Sequence, residues 1–70
     1  MTLQQLEYIV ALDKHRHFVK AAEACHVTQS TLSMMIQKLE QELEISIFDR
    51  KMQPIAPTDI GVRLIDQAKV

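Results

Sequence analysis

Scarcity is the first property of the sequence: one glycine, two prolines, one cysteine and no tryptophan in 70 residues. So little Gly and Pro excludes the disordered and low-complexity classes and lets helices run without interruption. A lone cysteine excludes an internal disulfide, so the small core has no covalent staple and a reducing cytoplasm is the expected compartment. No stretch approaches the roughly 20 apolar residues that span a bilayer. Met1-Thr2-Leu3-Gln4-Gln5 also lacks the basic start and apolar run of a secretion signal. The expectation is a soluble chain that is neither exported nor held at a membrane.

A large excess of either charge is missing too, because the net charge is -1. That sum counts against a phosphate-binding surface, but the distribution matters more. From Lys14 to Lys38 the bases Lys14, Arg16, Lys20 and Lys38 face the single acid Glu23, while Glu40, Glu42 and Glu44 form a separate acidic cluster, expected to be a solvated patch. Catalytic equipment is likewise lacking: a chain this short holds one modest core and no nucleophile and base in a cleft, so the expectation is no enzyme. His15, His17 and His26 have no second cysteine or paired carboxylate to complete a tetrahedral set, so neither a metal nor a cofactor is expected. Cys25, at the end of a short helix, is expected to pack in the core rather than react.

What is present is helical periodicity. Thr2 and Gln5 have capping-box spacing, and Leu3, Leu6, Ile9 and Val10 recur at helical intervals to about Lys14. A short second helix from Phe18 to Cys25 carries Ala21, Ala22 and Ala24, small enough for close helix contact. His26-Val27 is a turn, and Thr28 can cap a third helix that runs to about Glu42. At 100° per residue that helix points Leu32, Met35, Ile36, Leu39 and Leu43 one way and Ser30, Met34, Gln37, Lys38 and Gln41 the other. Segments 45–50 and 54–57, joined by Lys51-Met52-Gln53, read as a small β-wing that Pro54 and Pro57 confine to edge pairing. Thr58 then caps a fourth helix with Ile60, Leu64, Ile65 and Ala68 on one side, and no Gly or Pro stops it before Val70. An apolar stripe on a helix expected to outrun its small core points to dimerisation.

The pattern is therefore all-α with a small β-wing, a winged helix-turn-helix, with the helix-turn-helix at residues 18–37 and the wing at 45–57. Ala21 and Ala22 sit where the two helices cross, Cys25 and Val27 bracket the turn, and Leu32 and Met35 close the core from the third helix. His26 stands where many such units have Gly, so its backbone is expected in a left-handed conformation. Thr28-Gln29-Ser30-Thr31 opens the third helix with amides and hydroxyls suited to phosphate and a glutamine suited to adenine.

Ala21-Ala22, Val27-Thr28-Gln29, Thr31-Leu32-Ser33, Ile36, Lys38-Leu39-Glu40, Glu42-Leu43, Phe48-Asp49-Arg50, Thr58 and Gly61 together resemble the LysR-type transcriptional regulators. Leu6-Glu7-Tyr8, His15-Arg16-His17-Phe18 and Cys25-His26-Val27 are most similar to the peroxide-responsive branch of that family. The resemblance implies a bacterial regulator at promoter DNA, hence cytoplasmic and nucleoid-associated, with residues 1–57 as the DNA-binding domain and 58–70 as the start of a dimerising linker helix. It further implies an effector domain outside these residues, a homodimer through the linker, and a tetramer at full length. Carried over by position, Thr28, Gln29, Ser30, Thr31, Ser33, Met34, Gln37 and Lys38 would meet the major groove or its phosphates. Arg50 and Gln53 would serve in the wing, and Ile60, Leu64, Ile65 and Ala68 at the dimer contact.

Four positions depart from the family pattern: Ser30 replaces a usual Pro, Met34 a common base, Glu44 a usual Gly and Gln53 a frequent Arg. These departures imply an altered base preference and weaker electrostatic affinity. Met34, Gln53 and the slightly negative charge also support an alternative, a winged-helix interaction module without specific DNA binding. Salt dependence separates the two readings.

Overall fold

A computed structural model describes residues 2–69. Four helices and a two-stranded sheet follow in the order α1 (Leu3–His15), α2 (Phe18–Ala24), α3 (Gln29–Leu43), β1 (Phe48–Asp49), β2 (Ala56–Pro57) and α4 (Asp59–Ala68). The expected capping box opens α1: the Gln5 amide donates to Thr2 Oγ1 at 3.1 Å, and the Thr2 amide donates to Gln5 Oε1 at 3.0 Å. Arg16 ends α1 in the left-handed region at φ 54°, and its side chain returns to bond the Asp13 carbonyl and carboxylate. The wing is an antiparallel pair in which Phe48 faces Pro57 and Asp49 faces Ala56, shorter than the segments its composition suggested.

One core joins every element. Tyr8, Ile9 and Leu12 come from α1, Ala21 and Ala22 from α2, Leu32, Ile36 and Leu39 from α3, Ile47, Phe48 and Ile55 from the wing region, and Ile65 from α4. The small side chains at Ala21 and Ala22 let α2 lie close against its neighbours, as their positions suggested, whereas Ala24 is exposed.

The packing corrects the reading of α1. Its apolar residues occupy two arcs rather than one: Tyr8, Ile9 and Leu12 point into the core, while Leu3, Leu6 and Val10 lie beside that arc, where Leu6 still packs partly against the core and Leu3 is 74% exposed. The period of 3.6 residues identified the helix but merged the arcs, because Ile9 fits the edge of either.

Gly61 fixes where α4 docks. A Cβ at this position would stand 2.0 Å from the Ile47 carbonyl oxygen, so only glycine allows the helix to approach that backbone. Thr58 ties the same junction from the other side. Its amide donates to Ile47 O at 2.9 Å, its hydroxyl donates to Ser46 O, and its Oγ1 caps α4 by accepting from the Gly61 amide at 3.0 Å.

Candidate nucleic-acid interface

The turn between α2 and α3 sets the exposed helix. His26 adopts φ 59°, the left-handed conformation expected where glycine is common, and the Val27 amide donates back to Ala22 O at 3.0 Å. Thr28 then caps α3, with its Oγ1 accepting from the Thr31 amide at 3.1 Å and its hydroxyl donating to Thr31 Oγ1 at 2.9 Å. The first turn of α3 carries no acid, so the positive end of the helix dipole and the leading amides at Gln29 and Ser30 are open to an anion.

Among the residues expected on the reading face, Thr28, Gln29, Ser30, Met34, Gln37 and Lys38 are exposed, while Thr31 and Ser33 are half-buried. The opposite side of α3 buries Leu32, Ile36 and Leu39, which anchors the helix on the core and leaves its outer arc as a rigid projecting surface. Thr28 and Thr31 already bond one another, so their first role is to fix the start of the helix.

In the wing, Arg50 is engaged within the chain. Its guanidinium donates to Glu40 Oε1 at 3.2 Å and lies over the Phe18 ring, 5.6 Å from the centroid. Arg50 Nε is buried and has no hydrogen-bond partner among the described residues, an unfavourable exception to the pairing of buried donors. Arg50 thus clamps the wing to α2 and α3, with its side chain still 32% exposed.

The same geometry corrects the acidic patch. Glu40 is not solvated: its side chain is 13% exposed, and Oε2 accepts from the Ile47 amide at 2.8 Å and the Phe48 amide at 3.4 Å. One carboxylate therefore satisfies two backbone donors and one guanidinium where the chain enters β1.

The exposed cation of the wing is Lys51, which the sequence reading passed over. It stands beside exposed Met52 and Gln53 in the turn, and its amide is held by Asp49 Oδ1 at 3.0 Å. Among the described residues Lys20, Lys38 and Lys51 enter no ion pair, whereas Arg16 and Lys69 are both engaged by Asp13. The signal that distinguishes Arg50 from Lys51 is Glu40, ten positions earlier and only recognisable as a partner once the turn is built.

His17 serves as the cap of α2, with Nδ1 accepting from the Lys20 amide at 3.4 Å. Cys25 is half-buried and packs against the core, and burial together with the Glu7 carboxylate pushes its thiol pKa up, away from a reactive thiolate.

On α4 the expected outward stripe divides. Ile65 is 2% exposed and belongs to the core of its own chain, so it is not available for contact with a second molecule. Ile60 is exposed, and Leu64 and Ala68 pack partly against the core. The α1 stripe read from the sequence at Leu3, Leu6 and Val10 joins Ala11, Ala24, Cys25 and Ala68 around an open groove of about 480 Å³, whereas the core residues Tyr8 and Leu12 of the same helix were not named in that stripe.

The family described as "Bacterial regulatory helix-turn-helix protein, lysR family" matches residues 3–62. The chain is 48% identical over 69 residues to the DNA-binding transcriptional dual regulator OxyR of Escherichia coli K12, covering 99% of this chain and 23% of that protein. In three dimensions it matches the DNA-binding domain of BenM in complex with catB site 1 DNA at a TM-score of 0.96 and 36% identity, covering 99% of this chain and 74% of that one. Full-length OxyR from Pseudomonas aeruginosa matches at a TM-score of 0.94 and 46% identity, over 99% of this chain and 23% of that one. The chain thus spans less than a quarter of the curated OxyR relatives it matches.

Proposed function

Because the chain belongs to the LysR family of bacterial regulatory helix-turn-helix proteins, we propose that it reads promoter DNA by laying the outer arc of α3 in the major groove. The observation that carries this reading is the first half of α3, an acid-free helix start followed by an exposed polar arc on a rigid core. Gln29, Ser30 and Gln37 supply hydrogen bonds to base edges, with Gln29 suited to adenine. Thr28, Thr31 and Ser33 hold the helix start and its phosphates, and Lys38, Lys20 and Lys51 supply charge to the backbone. Gln53 is the polar wing residue on the minor-groove side. Residues 1–57 act as the DNA-binding unit and 58–70 begin the linker.

Dimerisation completes the reading. Ile60, Leu64 and Ala68 on α4 would meet a second copy together with Leu3, Leu6 and Val10 on α1, of which Ala68, Leu3, Leu6 and Val10 line one groove, and such a dimer would place two reading helices about one DNA turn apart. The full-length assembly is then a cytoplasmic dimer or tetramer on the nucleoid. The relatives named as hydrogen peroxide-inducible genes activators, at 45–48% identity, support a peroxide-responsive regulator. Its signal would be received outside these residues, whose one cysteine, Cys25, packs against the core.

The experiment is a base-preference measurement on the chain made dimeric by a fused coiled coil. Gln29→Ala is expected to lose about 1–3 kcal/mol of discrimination at a single base position while other positions keep theirs. Uniform weakening at all positions would remove Gln29 from base readout, and failure of the dimeric protein to bind any duplex would overturn the proposal.

A further inference from the structure

Met34 is the one apolar side chain on an otherwise polar arc. Four residues before it stands Ser30, three after it Gln37 and four after it Lys38, all exposed. Met34 itself is 48% exposed, while the adjacent Met35 packs against the core and Ile36 is fully buried. With about half of its surface open, its unbranched thioether extends from the middle of the surface assigned to the groove.

The edges of the base pairs in the major groove are donors and acceptors with a single apolar exception, the 5-methyl group of thymine. A methionine offers no hydrogen and only a weak acceptor, so it gains nothing from the acceptors of guanine and little from the amino groups of cytosine and adenine. Its flexible, polarizable end can settle against a methyl group without the fixed rotamer a branched residue would need. Ser30 and Gln37 flank it within one helical turn, so the bases on either side can be read by hydrogen bonds while Met34 reads the methyl between them.

Resting on the groove-reading role of α3, we infer that Met34 is a specificity-determining residue that selects an A·T pair at one position of each half-site through the thymine methyl group.

Deoxyuridine tests this directly, because it removes that methyl and leaves every hydrogen-bonding edge in place. The dimeric protein first selects duplexes from a random pool, and each thymine of the selected site is then replaced in turn by deoxyuridine. The wild type is expected to show one position per half-site where the replacement weakens binding about fourfold, the worth of one methyl-sized apolar group taken from water. Met34→Ala and Met34→Gln, which remove the contact from both subunits, are expected to bind the thymine duplex about sixteenfold weaker, to be indifferent to uracil there, and to keep the wild-type salt slope. Both substitutions lie on an exposed helical position, and circular dichroism checks that the helices remain. A Met34→Ala protein that stays uracil-sensitive at that position overturns the inference. Selection of duplexes with no uracil-sensitive position overturns it as well, while leaving DNA binding intact. Selection of no duplex at all overturns the groove-reading role and this inference with it.

Discussion

Single residues decide more here than composition does. Gly61 is the clearest case: alanine favours helices by about 1 kcal/mol over glycine, yet a Cβ would fall 2.0 Å from the Ile47 carbonyl oxygen, a backbone atom that cannot swing aside. The clash outweighs the propensity. Gly61→Ala is expected to destabilise the fold by about 2–3 kcal/mol, seen as a lower urea midpoint with little change in m-value. Unchanged or higher stability would mean that α4 docks differently. The sequence marked Gly61 only through family resemblance, because the reason for it lies in a contact fourteen positions away. His26, by contrast, was legible: a turn position where glycine is common predicts a positive φ, and the backbone adopts one. Thr2, Thr28 and Thr58 were legible for the same kind of reason, since a capping hydroxyl acts on amides within three residues.

At the scale of elements, the wing shows where sequence reading stops. Two adjacent bases in one short turn have opposite fates: Arg50 is drawn inward by Glu40 and Phe18, while Lys51 stays exposed. Nothing in their spacing separates them, because the separation depends on how the turn carries each side chain relative to α3. Different substitutions should therefore have different consequences. Glu40→Ala leaves the Ile47 and Phe48 amides and the Arg50 guanidinium without their acceptor, and a loss of about 2–3 kcal/mol in unfolding free energy is expected, with faster hydrogen exchange at those amides. Lys51→Ala should leave the unfolding midpoint within about 0.5 kcal/mol of the wild type. Its effect belongs on DNA, where the salt slope is expected to shrink by about one for each phosphate contact removed. If Lys51→Ala destabilises the fold and Glu40→Ala does not, the assignment of the two wing cations is reversed. The two arcs of α1 pose a similar limit: periodicity tells that the helix is amphipathic, but the choice between Tyr8, Ile9 and Leu12 and the arc of Leu3, Leu6 and Val10 is made by what packs against them.

For the molecule as a whole, the central claim is that a chain of net charge -1 binds a polyanion through a locally favourable surface. The placement of the charges makes this possible, since the first turn of α3 carries no acid. The Glu40 carboxylate is consumed by the wing, Asp13 engages Arg16 and Lys69, and Lys20, Lys38 and Lys51 remain outside any ion pair among the described residues. Charge counting along the sequence anticipated a basic stretch around the helix-turn-helix but not which bases are free, since pairing is set by the fold. The most direct test is the dependence of duplex affinity on salt for the dimeric protein. With Lys20, Lys38 and Lys51 of each subunit assigned to phosphates and about -0.9 in slope for each phosphate neutralised, log K against log salt should fall with a slope of about -3 to -5. Binding that does not change with salt would contradict the account and favour a winged helix that meets its partner through apolar contacts instead.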